Sequence, residues 1–136
     1  MEVFFYGLFM DIDLLEKRGL KPSNPRMACL KNYELKIGDR ATLVPCKNER
    51  SYGIVMTIDE EAINKLYSES SAADYIPEEV TVVTDSNDPV TATCYNLPVE
   101  SHSGSNKKYA LSLYKLAKQE DFPEEYVSKI KMIAES

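Results

Sequence analysis

The stretch Val3-Phe4-Phe5-Tyr6-Gly7-Leu8-Phe9 carries the strongest indication of how this chain folds. Its first residues are apolar or aromatic, which is typical of a buried β-strand, and the glycine ends that strand. A strand that ends at glycine can turn the following backbone N–H groups toward one point, which makes a small nest for a carboxylate or an oxyanion. The alternative is an ordinary strand-to-helix turn in which Leu8 and Phe9 pack into the core.

The rest of the chain alternates strand-like and helix-like segments. Residues 21–26 are predicted as a loop because they contain two prolines, and Gly38-Asp39 marks a turn. Two hairpins are predicted. The first joins strands at residues 41–44 and 52–58 through a polar loop at 47–51. The second joins strands at residues 80–83 and 90–95. Helices are predicted after the capping residues Asp11 and Asp59, near residues 109–117, and from residue 122 onward. Because most strands are joined by short turns, the pattern favours one α+β domain over residues 1–136, with a mainly antiparallel sheet or partly closed barrel.

Composition excludes several classes of function. The 136 residues carry a net charge of -6, and an acidic surface repels phosphate backbones and anionic lipid, so we expect neither nucleic acid nor membrane as a partner. No segment approaches the length of a membrane span, and we expect the protein to be cytoplasmic. The single histidine, His102, and the three scattered cysteines form no cluster with metal-ligand spacing, so no metal site is predicted.

The end of the helix after Asp59 offers a candidate catalytic carboxylate. If that helix continues past Leu66, Glu69 lies three residues and Ser70 four residues beyond it, and both project from the apolar face. A carboxylate there would be poorly hydrated and therefore suited to act as a general base or acid. The alternative is that the helix ends at Tyr67 and that Glu69 points into solvent.

Polar groups elsewhere in the chain could line a site with this carboxylate. The hydroxyls of Tyr6, Tyr75, Tyr95 and Tyr109 can orient an amine or a carbonyl, although most buried tyrosines are core residues with one satisfied hydrogen bond. Arg40 can pair with a substrate carboxylate, or it can be a surface charge at a strand end.

Taken together, the motifs of this chain resemble those of the gamma-glutamylcyclotransferase-like family over nearly its whole length. The opening strand and Tyr6-Gly7-Leu8 are similar to that family's first strand and Tyr-Gly-Ser/Thr-Leu motif. The other similar segments are Tyr52-Gly53-Ile54-Val55-Met56, Ile63-Asn64-Lys65-Leu66 followed by an acid, Glu79-Val80-Thr81-Val82, Leu116-Ala117-Lys118 and Phe122-Pro123-Glu124-Glu125-Tyr126.

The resemblance implies a mixed, mainly antiparallel, barrel-like sheet of five to seven strands with flanking helices. It also implies an enzyme without metal or organic cofactor, whose partner is a small gamma-glutamyl substrate. The alpha-amine of that substrate attacks the gamma-carbonyl, which gives 5-oxoproline and a free amine or amino acid. Glu69 would be the catalytic acid and base. The remaining site residues would bind substrate, namely Tyr6, Gly7, Leu8, Phe9, Arg40, Ser70, Tyr75, Tyr95 and Tyr109.

The chain departs from the family's motifs at two positions. Leu8 stands where Ser or Thr is usual, although the backbone N–H groups are unaffected by that change. In the family motif Leu-Asp-x-x-Glu-Gly, spacing from Leu66 puts Ser70 at the place of the glutamate and Tyr67 at the place of the aspartate. Two hypotheses follow: a cyclotransferase in which Glu69 takes over the role, or a non-catalytic domain that binds a small ligand and has lost the base.

Overall fold

A five-stranded barrel forms the centre of the computed structural model, which describes residues 1–69, 72–98 and 104–136. Its strands are β1 (Glu2–Phe5), β2 (Ser23–Ile37), β3 (Ala41–Thr57), β4 (Ile76–Thr84) and β5 (Pro89–Asn96). They are neighbours in the order β1-β3-β2-β4-β5, and the barrel closes where β5 meets β1. That closing pair is parallel, with Val3 opposite Thr93, and the other pairs are antiparallel. The predicted α+β class with a mixed, mainly antiparallel, barrel-like sheet is confirmed.

Four α-helices flank the barrel in the described chain: α1 (Ile12–Lys17), α2 (Glu60–Leu66), α3 (Lys107–Gln119) and α4 (Glu124–Glu135). The side chains of Asp11 and Asp59 accept hydrogen bonds from the amides of Asp13 and Ala62, so both predicted N-caps are confirmed. Asn106 caps α3 in the same way, through the amide of Tyr109 at 2.9 Å. None of the described helices has the length and apolar character needed to cross a membrane.

The predicted hairpin within residues 41–58 is wrong, because this segment is the single strand β3. Both of its halves pair with β2: Leu43 lies opposite Leu35, and Ile54 opposite Met27. Residues 46–49 lie at an irregularity of that ladder, between the pairs Lys31/Arg50 and Tyr33/Pro45. A β-bulge absorbs extra residues without reversing the chain, and sequence composition does not distinguish it from a turn.

Residues 21–26 are not wholly a loop, since β2 already begins at Ser23. The pairing with β3 shifts register between Ser23 and Arg26, and Asn24 adopts a φ of 52° there. Asparagine tolerates this left-handed conformation better than most residues, so the strand start keeps a loop-like composition.

The core lies inside the barrel and between the barrel and its helices. Val3 and Phe4 of β1 are almost completely buried, together with Met56 of β3 and Ile63 of α2. Burial of one such side chain stabilises the fold by about 1.5–3 kcal/mol. Since β1 is held between β3 and β5 and its residues are buried, the loop that follows it is fixed in place beside the end of β5.

Candidate active site

The site is built on the turn that follows β1. The backbone passes through Tyr6 and Gly7 into a short 3-10 helix, Leu8–Met10, which is closed by a hydrogen bond from the Met10 amide to the Gly7 carbonyl at 3.0 Å. Gly7 has a φ of -111°, so a left-handed conformation is not the reason for glycine here. A β-carbon at Gly7 would instead clash with the hydroxyl of Tyr109. The glycine therefore makes room for that tyrosine.

Tyr109 lies in the first turn of α3 and holds the loop from the other side. Its Oη accepts a hydrogen bond from the Leu8 amide at 3.2 Å. In the described part of the chain, no hydrogen bond uses the amides of Gly7 or Phe9. Of the three successive amides in this cavity-lining loop, one is therefore bonded to a hydroxyl and two have no partner among the described residues.

A cavity of about 260 Å³ lies beside this loop. It brings together residues from the β1 loop, the β2–β3 turn, the segment after α2, β5 and α3. All the predicted binding residues that the structure describes line it, namely Tyr6, Gly7, Leu8, Phe9, Arg40, Tyr75, Tyr95 and Tyr109. The fold therefore brings these residues to one cavity, while their role in binding remains a prediction.

Tyrosine hydroxyls provide the polar groups of the cavity wall. The Tyr6 hydroxyl donates to the Tyr95 carbonyl at 2.7 Å, and the Tyr75 hydroxyl donates to the Ala41 carbonyl at 2.5 Å. Burial raises the pKa of Tyr6 and Tyr67 well above the usual value and also raises the pKa of Tyr109. These three hydroxyls are therefore protonated at neutral pH and cannot act as bases. Because the Tyr6 and Tyr75 hydrogens are already donated to carbonyls, the oxygens of those two hydroxyls can only accept a hydrogen bond from a ligand.

Tyr67 is a wall residue that the sequence did not predict. It follows α2 as its C-cap, and its ring stacks on Tyr95 with centroids 3.9 Å apart and planes 9° apart. It also meets Phe9 and Tyr75 edge to face, each at 5.9 Å between centroids. The sequence contained one indication that Tyr67 could line the site. Tyr67 directly follows Leu66, the last apolar residue of α2, and stands where the family motif has an aspartate.

Two arginines line the cavity, and only Arg40 was predicted. The Arg40 guanidinium lies over the ring of Tyr75 at 5.8 Å and pairs with Asp74 at 3.0 Å. Arg18, the C-cap of α1, lies over the ring of Phe9 at 5.5 Å and pairs with Glu69 at 2.7 Å. Each guanidinium therefore combines a cation–π contact with one ion pair. Nothing in the local sequence of Arg18 marks it, because its partners come from distant segments.

Glu69 does not have the orientation that the helical spacing predicted. Helix α2 ends at Leu66, and Glu69 lies in a turn whose carbonyl accepts from the Ala72 amide at 2.9 Å. Its side chain is 49% exposed, is bound to Arg18 and does not line the cavity. The expectation that it projects toward the core is wrong, because α2 ends at Leu66 with Tyr67 as its C-cap, which is close to the alternative in which the helix ends before Glu69 and the side chain faces solvent. The carboxylate instead lies at the rim, beside a guanidinium that lines the cavity.

Ser70, the other residue predicted at this position, lies outside the described residues, as does His102. In the described chain no group of three or more His, Cys, Asp or Glu side chains is placed to hold a metal ion.

Comparison with known proteins places this geometry in a family. A family model described as the AIG2-like family matches residues 50–130, which is more than half of the chain. The chain belongs to the AIG2-like family. For this AIG2-like chain, the comparison with curated proteins finds no match.

Solved structures share the fold of this AIG2-like protein. One named gamma-glutamyl cyclotransferase has a TM-score of 0.81 at 20% identity, over 96% of this chain and 86% of that one. A yeast gamma-glutamyl cyclotransferase specific to glutathione has a TM-score of 0.71 at 14% identity, over 99% of this chain and 95% of that one. An AIG2-like protein from Mus musculus has a TM-score of 0.59 at 15% identity, over 79% and 88% of the two chains.

At these identities the structural likeness establishes the fold, and the family model establishes membership. The resemblance to the gamma-glutamylcyclotransferase-like family is thereby confirmed, because the chain belongs to the AIG2-like family and shares the fold of solved gamma-glutamyl cyclotransferases. Which reaction this chain catalyses, and with which base, are separate questions because one fold can host several functions.

Proposed function

We propose that this chain is a cyclotransferase that converts a gamma-glutamyl amine or gamma-glutamyl amino acid to 5-oxoproline and a free amine. The observation that carries the proposal is the cavity at the loop Tyr6 to Phe9, found in a chain of the AIG2-like family. The loop amides, the Tyr109 hydroxyl and two guanidinium groups lie around this cavity, and each of these groups can donate a hydrogen bond to a carboxylate or carbonyl oxygen.

The reaction needs little from the protein beyond orientation and proton transfer. The alpha-amine nitrogen forms a bond to the gamma-carbonyl carbon, and the bond from that carbon to the leaving nitrogen breaks. Hydrogens that the attacking ammonium loses end up on the leaving nitrogen, so no water, oxidant or reductant is consumed. Because the attack is intramolecular, folding the glutamyl chain into a ring-like conformation supplies much of the rate enhancement.

The loop and the tyrosines would hold the glutamyl group. The free amides of Gly7 and Phe9 can donate to the gamma-carbonyl oxygen as negative charge develops on it. The Tyr109 oxygen already accepts from the Leu8 amide, so the hydroxyl hydrogen is available to donate to a substrate oxygen. Arg18 can bind the glutamyl carboxylate at the rim.

Glu69 would be the base and acid, and it must leave Arg18 to act. The ion pair is largely solvated, with side-chain exposures of 36% for Arg18 and 49% for Glu69, so breaking it costs at most about 1 kcal/mol. A substrate carboxylate that binds the Arg18 guanidinium would offset that cost. The ion pair therefore keeps Glu69 next to the cavity without preventing its release.

The test is the release of 5-oxoproline from a panel of gamma-glutamyl amino acids and amines. We expect turnover by the natural chain and a loss of at least about a hundredfold in kcat for Glu69→Gln, the usual contribution of a general base. Glu49→Gln is the matched control, because Glu49 forms a similar surface ion pair, with Lys129 at 2.8 Å, and it does not line this cavity.

The outcomes separate the hypotheses. Activity that survives Glu69→Gln at the level of Glu49→Gln would remove Glu69 from the mechanism. A natural chain that binds gamma-glutamyl compounds in calorimetry but releases no 5-oxoproline would support the non-catalytic binding domain, which family membership does not favour.

A further inference from the structure

A continuous row of rings runs along the cavity wall from one guanidinium to the other. We call this row, made of Phe9, Tyr67 and Tyr75, the aromatic ribbon. Arg18 lies over Phe9 at 5.5 Å, Phe9 meets Tyr67 at 5.9 Å, Tyr67 meets Tyr75 at 5.9 Å, and Arg40 lies over Tyr75 at 5.8 Å. The wall therefore offers an apolar, aromatic surface with a positive charge at each end.

Both guanidinium groups keep binding capacity. Each has five N–H donors, and in the described chain one nitrogen of each group faces an acid, Glu69 or Asp74. Those acids are 49% and 60% exposed, so the pairs are weak and a ligand carboxylate can bind beside them or replace them.

The described lining of the cavity contains no acidic residue. The nearby acids are already bound to the two arginines. A ligand with a second ammonium group would therefore have to compete with Arg18 or Arg40 for Glu69 or Asp74, whereas a ligand with two carboxylates would find one guanidinium at each end.

The ribbon also favours one kind of side chain. Aromatic rings prefer edge-to-face and offset-stacked neighbours, and the stacking of Tyr67 on Tyr95 at 3.9 Å holds the central ring of the ribbon rigidly. A rigid aromatic surface binds a planar apolar group with little loss of conformational freedom.

We propose that the substrate of this site is the gamma-glutamyl derivative of an aromatic amino acid. The inference rests on the proposed function and specifies its leaving group. The glutamyl carboxylate binds at the Arg18 end beside the Tyr6–Phe9 loop, the aromatic side chain of the leaving amino acid packs on Tyr67 and Tyr75, and its carboxylate binds Arg40.

The test compares kcat/KM for three probes: gamma-glutamylphenylalanine, gamma-glutamylalanine and gamma-glutamylphenethylamine. The second probe lacks the ring and the third lacks the second carboxylate. We expect the first to exceed each of the others by roughly tenfold or more, the size of one good apolar or charged contact.

Two variants assign the preference to residues. Arg40→Gln should lower kcat/KM for gamma-glutamylphenylalanine roughly tenfold more than kcat/KM for gamma-glutamylphenethylamine, whereas general damage to the fold would lower both equally. Tyr67→Leu should make kcat/KM for gamma-glutamylphenylalanine nearly equal to kcat/KM for gamma-glutamylalanine. The matched controls are Arg26→Gln and Tyr114→Leu, since neither residue lines the cavity.

Equal turnover of the three probes would overturn the aromatic selectivity and leave the proposed function standing. If none of the three probes releases 5-oxoproline while other gamma-glutamyl compounds of the panel do, the aromatic selectivity is overturned and the proposed function stands. If no compound of the panel releases 5-oxoproline, the proposed function fails and the inference fails with it.

Discussion

The hydroxyl of Tyr109 lies directly over Gly7 and accepts the hydrogen bond of the next amide, that of Leu8, at 3.2 Å. The two residues are far apart in sequence, on the turn after β1 and on α3, yet each determines what the other position can hold. A side chain on Gly7 and a hydroxyl on residue 109 cannot occupy the same space.

Gly7→Ala should therefore lower the free energy of unfolding by about 1–3 kcal/mol, the usual cost of overpacking. Tyr109→Phe should cost about 1 kcal/mol for the lost hydrogen bond. Without the hydroxyl, the nearest ring carbon of Tyr109 lies 3.8 Å from the position of a β-carbon on Gly7, which is an ordinary contact. The double variant should therefore lose clearly less free energy of unfolding than the two single variants lose together. Urea denaturation of the four proteins measures the cycle, and strict additivity would contradict the steric explanation.

Arg18 should matter to substrate binding and little to stability. Its ion pair with Glu69 is largely exposed, so Arg18→Gln should change the free energy of unfolding by less than about 1 kcal/mol. If Arg18 binds the glutamyl carboxylate, kcat/KM should fall roughly tenfold or more through the lost charged hydrogen bond.

Arg26→Gln is the control with the opposite expected pattern. Arg26 and Glu2 form a less exposed ion pair, at 24% and 30%, away from the cavity. This change should lower stability more than Arg18→Gln does and leave kcat/KM of the folded protein unchanged. A loss of stability in Arg18→Gln as large as in Arg26→Gln would show that Arg18 is mainly structural.

Buried tyrosines should make the protein sensitive to alkali. Burial keeps the pKa of Tyr6 well above its ordinary value of 10.0, so above pH 10 the unfolded chain loses a proton that the folded chain keeps. The free energy of unfolding then falls as pH rises, by about 1.4 kcal/mol per pH unit for this one group.

Tyr6→Phe tests this linkage. At pH 7 the variant should be less stable by about 1 kcal/mol, because the hydrogen bond to the Tyr95 carbonyl is lost. Between about pH 10 and pH 11 the gap to the natural protein should close by about 1 kcal/mol, because the unfolded tyrosine is only half deprotonated at the start of this range. Urea titrations at several pH values measure the gap, and a gap that stays constant would contradict the pKa shift.

Substitution by alanine should destabilise the protein to very different extents at Gly53 and at Gly19. At Gly53 of β3 a β-carbon would clash with the Phe5 carbonyl and lie 2.9 Å from the Phe4 ring, so Gly53→Ala should cost about 3 kcal/mol or more. Gly19 has a φ of 88° and open space around it, so Gly19→Ala should cost only about 1 kcal/mol of backbone strain. Thermal unfolding ranks the two variants, and equal losses would contradict the packing of β1 against β3.

The features that sequence predicted correctly depend on local chemistry or on family motifs. Asp59 caps α2 through its own neighbouring amide, and the turn between β4 and β5 follows from polar residues between two apolar runs. The cavity residues were identified because their motifs resemble a family, and the barrel places them together.

The errors arise where tertiary contacts override local pattern. The Glu69 side chain does not follow the helical spacing because α2 ends at Leu66. The residue after that end, Tyr67, stacks on Tyr95, a contact between segments that spacing alone does not reveal. The sequence divided β3 into two strands because the polar composition around residue 48 also fits a turn. In the structure this segment is a bulge, where Asn48 and Asn32 adopt left-handed conformations and the Asn48 amide donates to the Asn32 side chain at 3.2 Å. Arg18 was missed because its two partners come from other elements.

The parallel contact of β1 with β5 has a consequence for the order of folding. Residues 2–5 complete the barrel only when they are held between β3 and a strand that begins at Pro89, so they must await a segment translated long after them. Until then β1 can pair only with β3, and its other edge is open to pairing with other chains. A ribosome-bound nascent chain should thus acquire resistance to protease only after residue 96 has left the exit tunnel.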